Sequence, residues 1–360
     1  MTLILNNEDV ERVLTMELCL DVMDRLYREV GRGNTVDVPR CDALAPFGAD
    51  TVYVLKTMSG CVPYLGMGAI RLNSDLIHWP VIDGIRRQVK VPAASGKKWV
   101  GLVLLFDMNN GEPVAIFPDG AIQKMRVGAT NGLAAKYLSR EDSKIIALMG
   151  SGWQAQGQVM AFCAVRKIQE IRVYSPNRDH RTSFCNEMNP HVKVTMIPVN
   201  SAEEAVEKAD IIASATSSMT PVLQKEWLKP GIHVSAIKKQ EIGWELISQC
   251  DRFFLHTHRV MAETNYLMES DRRSYPRGEQ GWWLEKREEI LVNKRLPDLG
   301  DLVAGSVPGR TSEDQITGFL NNVGLGTQFA AVGAKVYEIA REQGLGREIP
   351  TDWFLESVHS

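Results

Sequence analysis

An apolar run, Ile145-Ile146-Ala147-Leu148-Met149, stops at Gly150-Ser151-Gly152-Trp153-Gln154-Ala155 and passes into a helical pattern over Gln156 to Val165. Few folds accommodate this order. A buried strand that ends in Gly-x-Gly and feeds a helix is the opening unit of a dinucleotide-binding βαβ fold. Gly150 permits the tight turn, and Gly152 lets the backbone approach a pyrophosphate at the helix N-terminus. Ala155 is small enough for the place where helix meets strand. The same pattern also occurs in ordinary strand-helix turns, so the flanking sequence has to discriminate.

A second strand, Glu170 to Tyr174, leads into Ser175-Pro176-Asn177-Arg178-Asp179-His180-Arg181. A site for NAD usually places Asp or Glu about 20 residues after the glycines, where it binds the ribose 2′-hydroxyl. Here that place holds Ser175, followed by Asn177, Arg178 and Arg181. A missing carboxylate and two guanidinium groups suit a 2′-phosphate, so NADP(H) is expected over NAD(H); the alternative is that Arg178 and Arg181 are solvated residues of a first helical turn. Next, Ile211 to Ser214 forms an apolar strand whose end, Ala215-Thr216-Ser217-Ser218, is small enough to lie against a cofactor. Gly231 to Ile237 is a further buried strand. Strand and helix alternate from residue 144 to 256, which implies a parallel, doubly wound sheet.

At 360 residues the chain is long enough for two domains, and 44% hydrophobic against 24% charged residues suits a globular protein with a large core. The net charge of -3 gives no reason to expect nucleic acid or an acidic membrane as partner. Six cysteines without a Cys-x-x-Cys pair read as reduced thiols. Asn6, Asn7, Glu8, Asp9, Glu11 and Arg12 interrupt any secretory apolar stretch after Met1, and no apolar run reaches the roughly 18 residues of a membrane span. A cytoplasmic location is therefore expected.

The first 30 residues read as one or two amphipathic helices. Residues 51 to 70 and 99 to 117 are rich in Val, Leu, Tyr and Phe, with Asn109-Asn110-Gly111 as a hairpin turn, and predict an antiparallel sheet. Between them a polar arm runs from Ile77 to Lys98, with Asp83-Gly84 as its turn. Its Arg86, Arg87, Lys90, Lys97 and Lys98 read as a solvated face rather than an anion site. One long helix is predicted from Ile122 to Leu138, and another helical segment from Thr317 to Arg341, interrupted at Gly324-Leu325-Gly326. Because the nucleotide unit lies between them, the N-terminal sheet and the C-terminal segment can form one discontinuous domain. His256 and His258 read as ordinary strand-end histidines, and no metal site is expected. Trp282-Trp283, in a charged loop, reads as a lid over a cleft or as packing between subunits.

The motifs resemble the ornithine cyclodeaminase and mu-crystallin family, with its archaeal-type alanine dehydrogenases and imine reductases. The resemblance spans nearly the whole chain and is carried by Met125-Arg126-Val127-Gly128-Ala129-Thr130, the Gly150 to Ala155 turn, Leu299 to Gly305, Pro308 to Thr311, and Gly324-Leu325-Gly326. It implies an α/β fold: a central Rossmann-type doubly wound domain, here residues 125–318, plus a discontinuous α+β dimerisation and substrate domain from both chain ends, residues 1–124 and 319–360. It also implies a homodimer, an active site in the interdomain cleft, and cofactor contacts at Thr130, Gly324 and Gly326.

For the substrate, the resemblance makes Arg126 the carboxylate anchor, with Arg40 at the cleft. Lys56 falls where the alanine dehydrogenases carry a binding arginine, and Arg71 where relatives carry the acid/base lysine. Arginine shuttles protons poorly because its pKa exceeds about 12, whereas a buried lysine is readily lowered. Lys56 is therefore expected to move the proton while Arg40, Arg71 and Arg126 bind anionic groups, the alternative for Lys56 being a sheet-edge charge. Ornithine cyclodeaminases place an aspartate for the distal amine after the strand holding His233. This chain has Lys238-Lys239-Gln240-Glu241, with Glu241 as the candidate stand-in and two lysines that repel a second ammonium. The expected activity is NADP(H)-dependent hydride transfer at the α-carbon of a small amino acid or cyclic imine. The alternatives are an ornithine cyclodeaminase-type lyase with bound NAD and a non-catalytic NADP-dependent ligand-binding protein.

Overall fold

The computed structural model describes residues 1–47, 51–82, 84–258, 263–266 and 296–357. Asp83 and Trp282-Trp283, singled out above, lie outside the described residues.

Two sheets organise the chain. The parallel one runs in the order Thr195–Pro198, Glu170–Tyr174, Ile145–Met149, Ile211–Ser214, His233–Ala236, Thr317–Leu320, Arg252–Leu255, and every neighbouring pair is parallel. Its central strands Ile145–Met149 and Ile211–Ser214 are mostly apolar and buried almost without a break because they lie between covered faces, where period-two alternation has nothing to mark. Strand order reverses beside Ile145–Met149, so a crevice forms at the carboxyl ends of the strands. This is the doubly wound arrangement expected from residues 144 to 256.

The other sheet is built on a long antiparallel hairpin, Thr51–Val62 with Met67–His78. Val100–Asp107 and Pro113–Pro118 extend it through the predicted Asn109–Gly111 turn. Thr2–Ile4 then pairs with Pro113–Pro118 on one side and with Arg347–Ile349 on the other, so the two ends of the described chain meet in one sheet. The helices Asn7–Val13 and Met16–Gly31 and the C-terminal helix Gly326–Glu342 cover its inner face. Asp37 fixes the first turn of that last helix, accepting from Thr327 N at 2.9 Å and from Thr327 Oγ1 at 2.8 Å.

The helix Gly120–Leu138 lies between Met16–Gly31 and Trp153–Val165 and is buried on nearly every side rather than along a single stripe. It connects the two sheets. Two expectations change. The stretch Thr317–Leu320 is a fully buried strand and not the start of a helix, because it fills a place in the parallel sheet between His233–Ala236 and Arg252–Leu255. The expected boundary between residues 318 and 319 thus falls inside a strand. Gly326 opens the C-terminal helix against the hairpin, where an added Cβ would lie 2.1 Å from the Ser59 carbonyl carbon. It serves close packing and does not line the nucleotide cleft.

In Met67–His78 the usual polarity is inverted. Arg71, Asn73 and Asp75 point to the covered face, while Ile70, Leu72 and Leu76 face outward beside Leu102, Leu104 and Leu55.

Candidate active site

A cleft of ≈ 800 Å³ opens at the carboxyl ends of the parallel strands, lined by Gly150, Ser151, Gly152, Trp153, Gln154, Ser175, Asn177, Ala215 and Thr216 among others. Gly150 holds φ +111°, and a Cβ there would meet the Ala215 carbonyl oxygen at 2.3 Å, so only glycine makes this turn. At Gly152 an added Cβ would meet nothing within 4 Å. The helix Trp153–Val165 starts there without a side-chain cap, which leaves its first amides for an anion. The geometry therefore fits the pyrophosphate of a dinucleotide.

Other expected cofactor residues sit elsewhere. Ala155 is buried under the turn. Thr130 is sealed inside, donating to the Arg126 carbonyl at 2.7 Å and accepting from Gln328 Nε2 at 2.9 Å. Gly324 lies against the Arg126 guanidinium, where a Cβ would stand 2.8 Å from Nη1. Arg181 is buried and braces the loop instead of facing the cleft: it donates to the Ser175 carbonyl at 2.9 Å and to Asn200 Oδ1 at 2.9 Å. Arg178 is exposed on the first turn of its helix, while His180 and Glu203, not expected, line the cleft.

The second cluster lies on the inner face of the hairpin. Lys56 Nζ donates to Asp75 Oδ2 at 2.9 Å, and Lys90 pairs with Asp75 Oδ1 at 2.9 Å. Arg71, 1% exposed, donates from Nε to Asp119 Oδ2 at 2.6 Å, and Arg40 makes two hydrogen bonds to Asp42. Arg126 finds no carboxylate among the described residues and donates from Nη1 to Gln328 Oε1 at 3.0 Å. Phe329 lies against both guanidinium groups, 5.4 Å from Arg71 and 5.0 Å from Arg126. Among the described residues, the cations Arg40, Lys56, Arg71, Lys90 and Arg126 are thus gathered with the carboxylates Asp42, Asp75 and Asp119. Arg71 Nη2 and Arg126 Nε are buried with no hydrogen-bond partner among the described residues.

Burial, outweighing the pull of Asp75, lowers the Lys56 ammonium to about 8, and Arg40 and Lys90 push the same way. Arg126 is lowered too, first by burial and then by Arg71.

Sequence reasoning missed the carboxylates Asp75 and Asp119 and the support behind Arg126. Arg71-x-Asn73-x-Asp75 was the available signal, but in a strand such alternation reads as a solvated face. Gln328 accepts from Arg126 and Leu325 N while donating to Tyr27 Oη at 2.9 Å; Tyr27 in turn bonds His256. Burial keeps His256 neutral, lowered to about 4. His258 pairs instead with Asp298, a helix-capping residue, at 3.0 Å.

Glu241 does not line the cleft. Fully buried, it accepts from Thr216 N at 2.5 Å, Ile237 N at 3.1 Å and Ser214 Oγ at 3.2 Å, tying two strand ends together. The solvated reading of the arm also needs correction: Arg87 lines the nucleotide cleft and Lys90 belongs to the Asp75 cluster, whereas Arg86, Lys97 and Lys98 are exposed.

A sequence profile of the ornithine cyclodeaminase/mu-crystallin family matches residues 89–344. A Delta(1)-pyrroline-2-carboxylate reductase of Bacillus cereus is 30% identical over 315 residues, covering 85% of this chain and 92% of that protein. Among solved structures, the Delta(1)-pyrroline-2-carboxylate reductase of Thermococcus litoralis, in complex with NADH and L-proline, superposes with a TM-score of 0.79 at 25% identity, over 97% of this chain and 100% of that one. An archaeal alanine dehydrogenase dimer with bound NAD shares the fold, with a TM-score of 0.75 at 23% identity over 97% of this chain and 98% of that one. No helix among the described residues is long and apolar enough to cross a membrane.

Proposed function

The chain belongs to the ornithine cyclodeaminase/mu-crystallin family, and from that premise we propose that it is a nicotinamide-dependent reductase of small imino acids, cyclic ones first. The carrying observation is the pair of buried guanidinium groups, each with a nitrogen that has no hydrogen-bond partner among the described residues, on the face that also carries a lysine lowered to about 8. A planar carboxylate matches such forks. Bound at the glycine turn, the dinucleotide supplies the hydride.

Arg126 and Arg71 hold the substrate carboxylate, and Phe329 fixes the planes of both groups. Lys56 gives its proton to the imine nitrogen as the α-carbon accepts hydride. Asp75 keeps that ammonium charged until the transfer. Arg40 adds positive potential at the rim. With Glu241 consumed by backbone amides, the expected stand-in carboxylate is not free for the second ammonium of a diamine, which favours an imine over ornithine.

NADPH is the preferred cofactor on this reading. Support comes from Ser175 in place of a carboxylate, the helix start at Asn177 and Arg178, and His180 on the wall. Arg181 no longer contributes, and Glu203 opposes. The outward apolar stripe of Ile70, Leu72, Leu102 and Leu104 supports a homodimer through that sheet face. The test is loss of NADPH or NADH absorbance with Delta(1)-pyrroline-2-carboxylate, larger cyclic imines, and 2-oxo acids with ammonia. Turnover with the imines is the expected result. Ammonia release from ornithine without net cofactor change, and no imine turnover, would overturn the proposal.

A further inference from the structure

The arm after Met67–His78 crosses from one sheet to the other. Its short hairpin pairs Val81–Ile82 with Ile85–Arg86, and Arg87 N donates to the Pro80 carbonyl at 2.9 Å. From there it docks on the loop that follows Ile211–Ser214. Gln88 N donates to the Ser217 carbonyl at 3.4 Å, Met219 N to the Arg86 carbonyl at 3.3 Å, and an antiparallel bridge joins Arg87 to Ser218. These contacts are all backbone. They hold the Arg87 side chain in place without using it.

Ile82, Ile85, Arg87 and Val89 line the same cleft as the glycine turn. Arg87 Nε is buried without a partner, Nη1 reaches Ser217 Oγ at 3.4 Å, and no carboxylate pairs with it among the described residues. Lys238, on the loop after His233–Ala236, is a second cation nearby and donates to the Ser218 carbonyl at 2.7 Å. A half-buried guanidinium with an orphaned donor, facing a cleft and lacking an acid, is a poor structural brace and a good anion ligand.

We propose that Arg87 binds a phosphate of the dinucleotide, so that the arm forms a strap from the substrate sheet across the cofactor. The proposal rests on the reading of the cleft as a dinucleotide site. The shared chemistry is a phosphate oxygen, which belongs either to the pyrophosphate or to the 2′-phosphate.

Binding of NADH and of NADPH is titrated by cofactor fluorescence in the wild-type protein and in Arg87→Gln and Arg87→Lys. Arg87→Gln is expected to weaken binding about tenfold to a hundredfold, as for a lost charge-assisted bond. Arg87→Lys should recover part of it. Equal loss for both cofactors assigns the pyrophosphate, and loss for NADPH alone the 2′-phosphate. Dissociation constants within twofold of wild type in both variants would overturn the proposal while leaving the dinucleotide reading intact. Failure of the wild-type protein to bind either cofactor would overturn both. Unchanged melting temperatures of the cofactor-free variants separate a lost contact from a lost fold.

Discussion

Lys56 is a charge held where charge is disfavoured, and that tension sets its chemistry. With the ammonium as the proposed acid, imine reduction should fall as pH rises through about 8, and amino acid oxidation, which needs the neutral amine, should rise there. Lys56→Met should abolish the inflection and lower kcat about 10²- to 10⁴-fold, read from kcat against pH. Asp75 raises Lys56 electrostatically, so Asp75→Asn should move the inflection to lower pH; an unmoved profile would remove Lys56 from the role. One position further back, Gln328→Leu frees Arg126 and should raise KM for the imino acid more than it lowers kcat. Arg126 and Lys56 could be singled out in the sequence because their residue types sat in recognisable motifs, and both are buried in the cluster described above, their roles remaining the proposal. Glu241 and Arg181 were misread because sequence reports what a side chain is and not where it turns. Both look inward, to backbone groups that only the folded loops bring near.

At the level of elements, periodicity was informative wherever one face met water and failed where it did not. Thr317-Gly318-Phe319-Leu320 is apolar on both sides, so nothing local distinguishes a central parallel strand from a helical turn. Met67–His78 alternates clearly, yet its polar residues Arg71, Asn73 and Asp75 lie on the covered face, where Asp119 and Lys56 rather than solvent satisfy them. Packing between elements also depends on Gly326, which lets the C-terminal helix touch the hairpin backbone. Gly326→Val should cost about 1–3 kcal/mol by overpacking, visible as a lower midpoint in urea. An unaltered midpoint would mean that the helix start shifts freely.

For the whole molecule, the outward stripe on the antiparallel sheet is the face that a second copy should cover. Leu72→Asp with Leu104→Asp should halve the mass measured by light scattering while the cofactor cleft, in the other sheet, still binds NADPH. A mass unchanged from wild type would place the contact elsewhere. The pairing of Thr2–Ile4 with Arg347–Ile349 has a further consequence, for synthesis. A ribosome delivers the hairpin long before the helix Gly326–Glu342 that buries its inner face. Nascent chains halted before that helix should therefore expose apolar strands, recruit holding chaperones and stay open to proteases, and Thr2–Ile4, although it can pair early with Pro113–Pro118, gains its second neighbour only at the end.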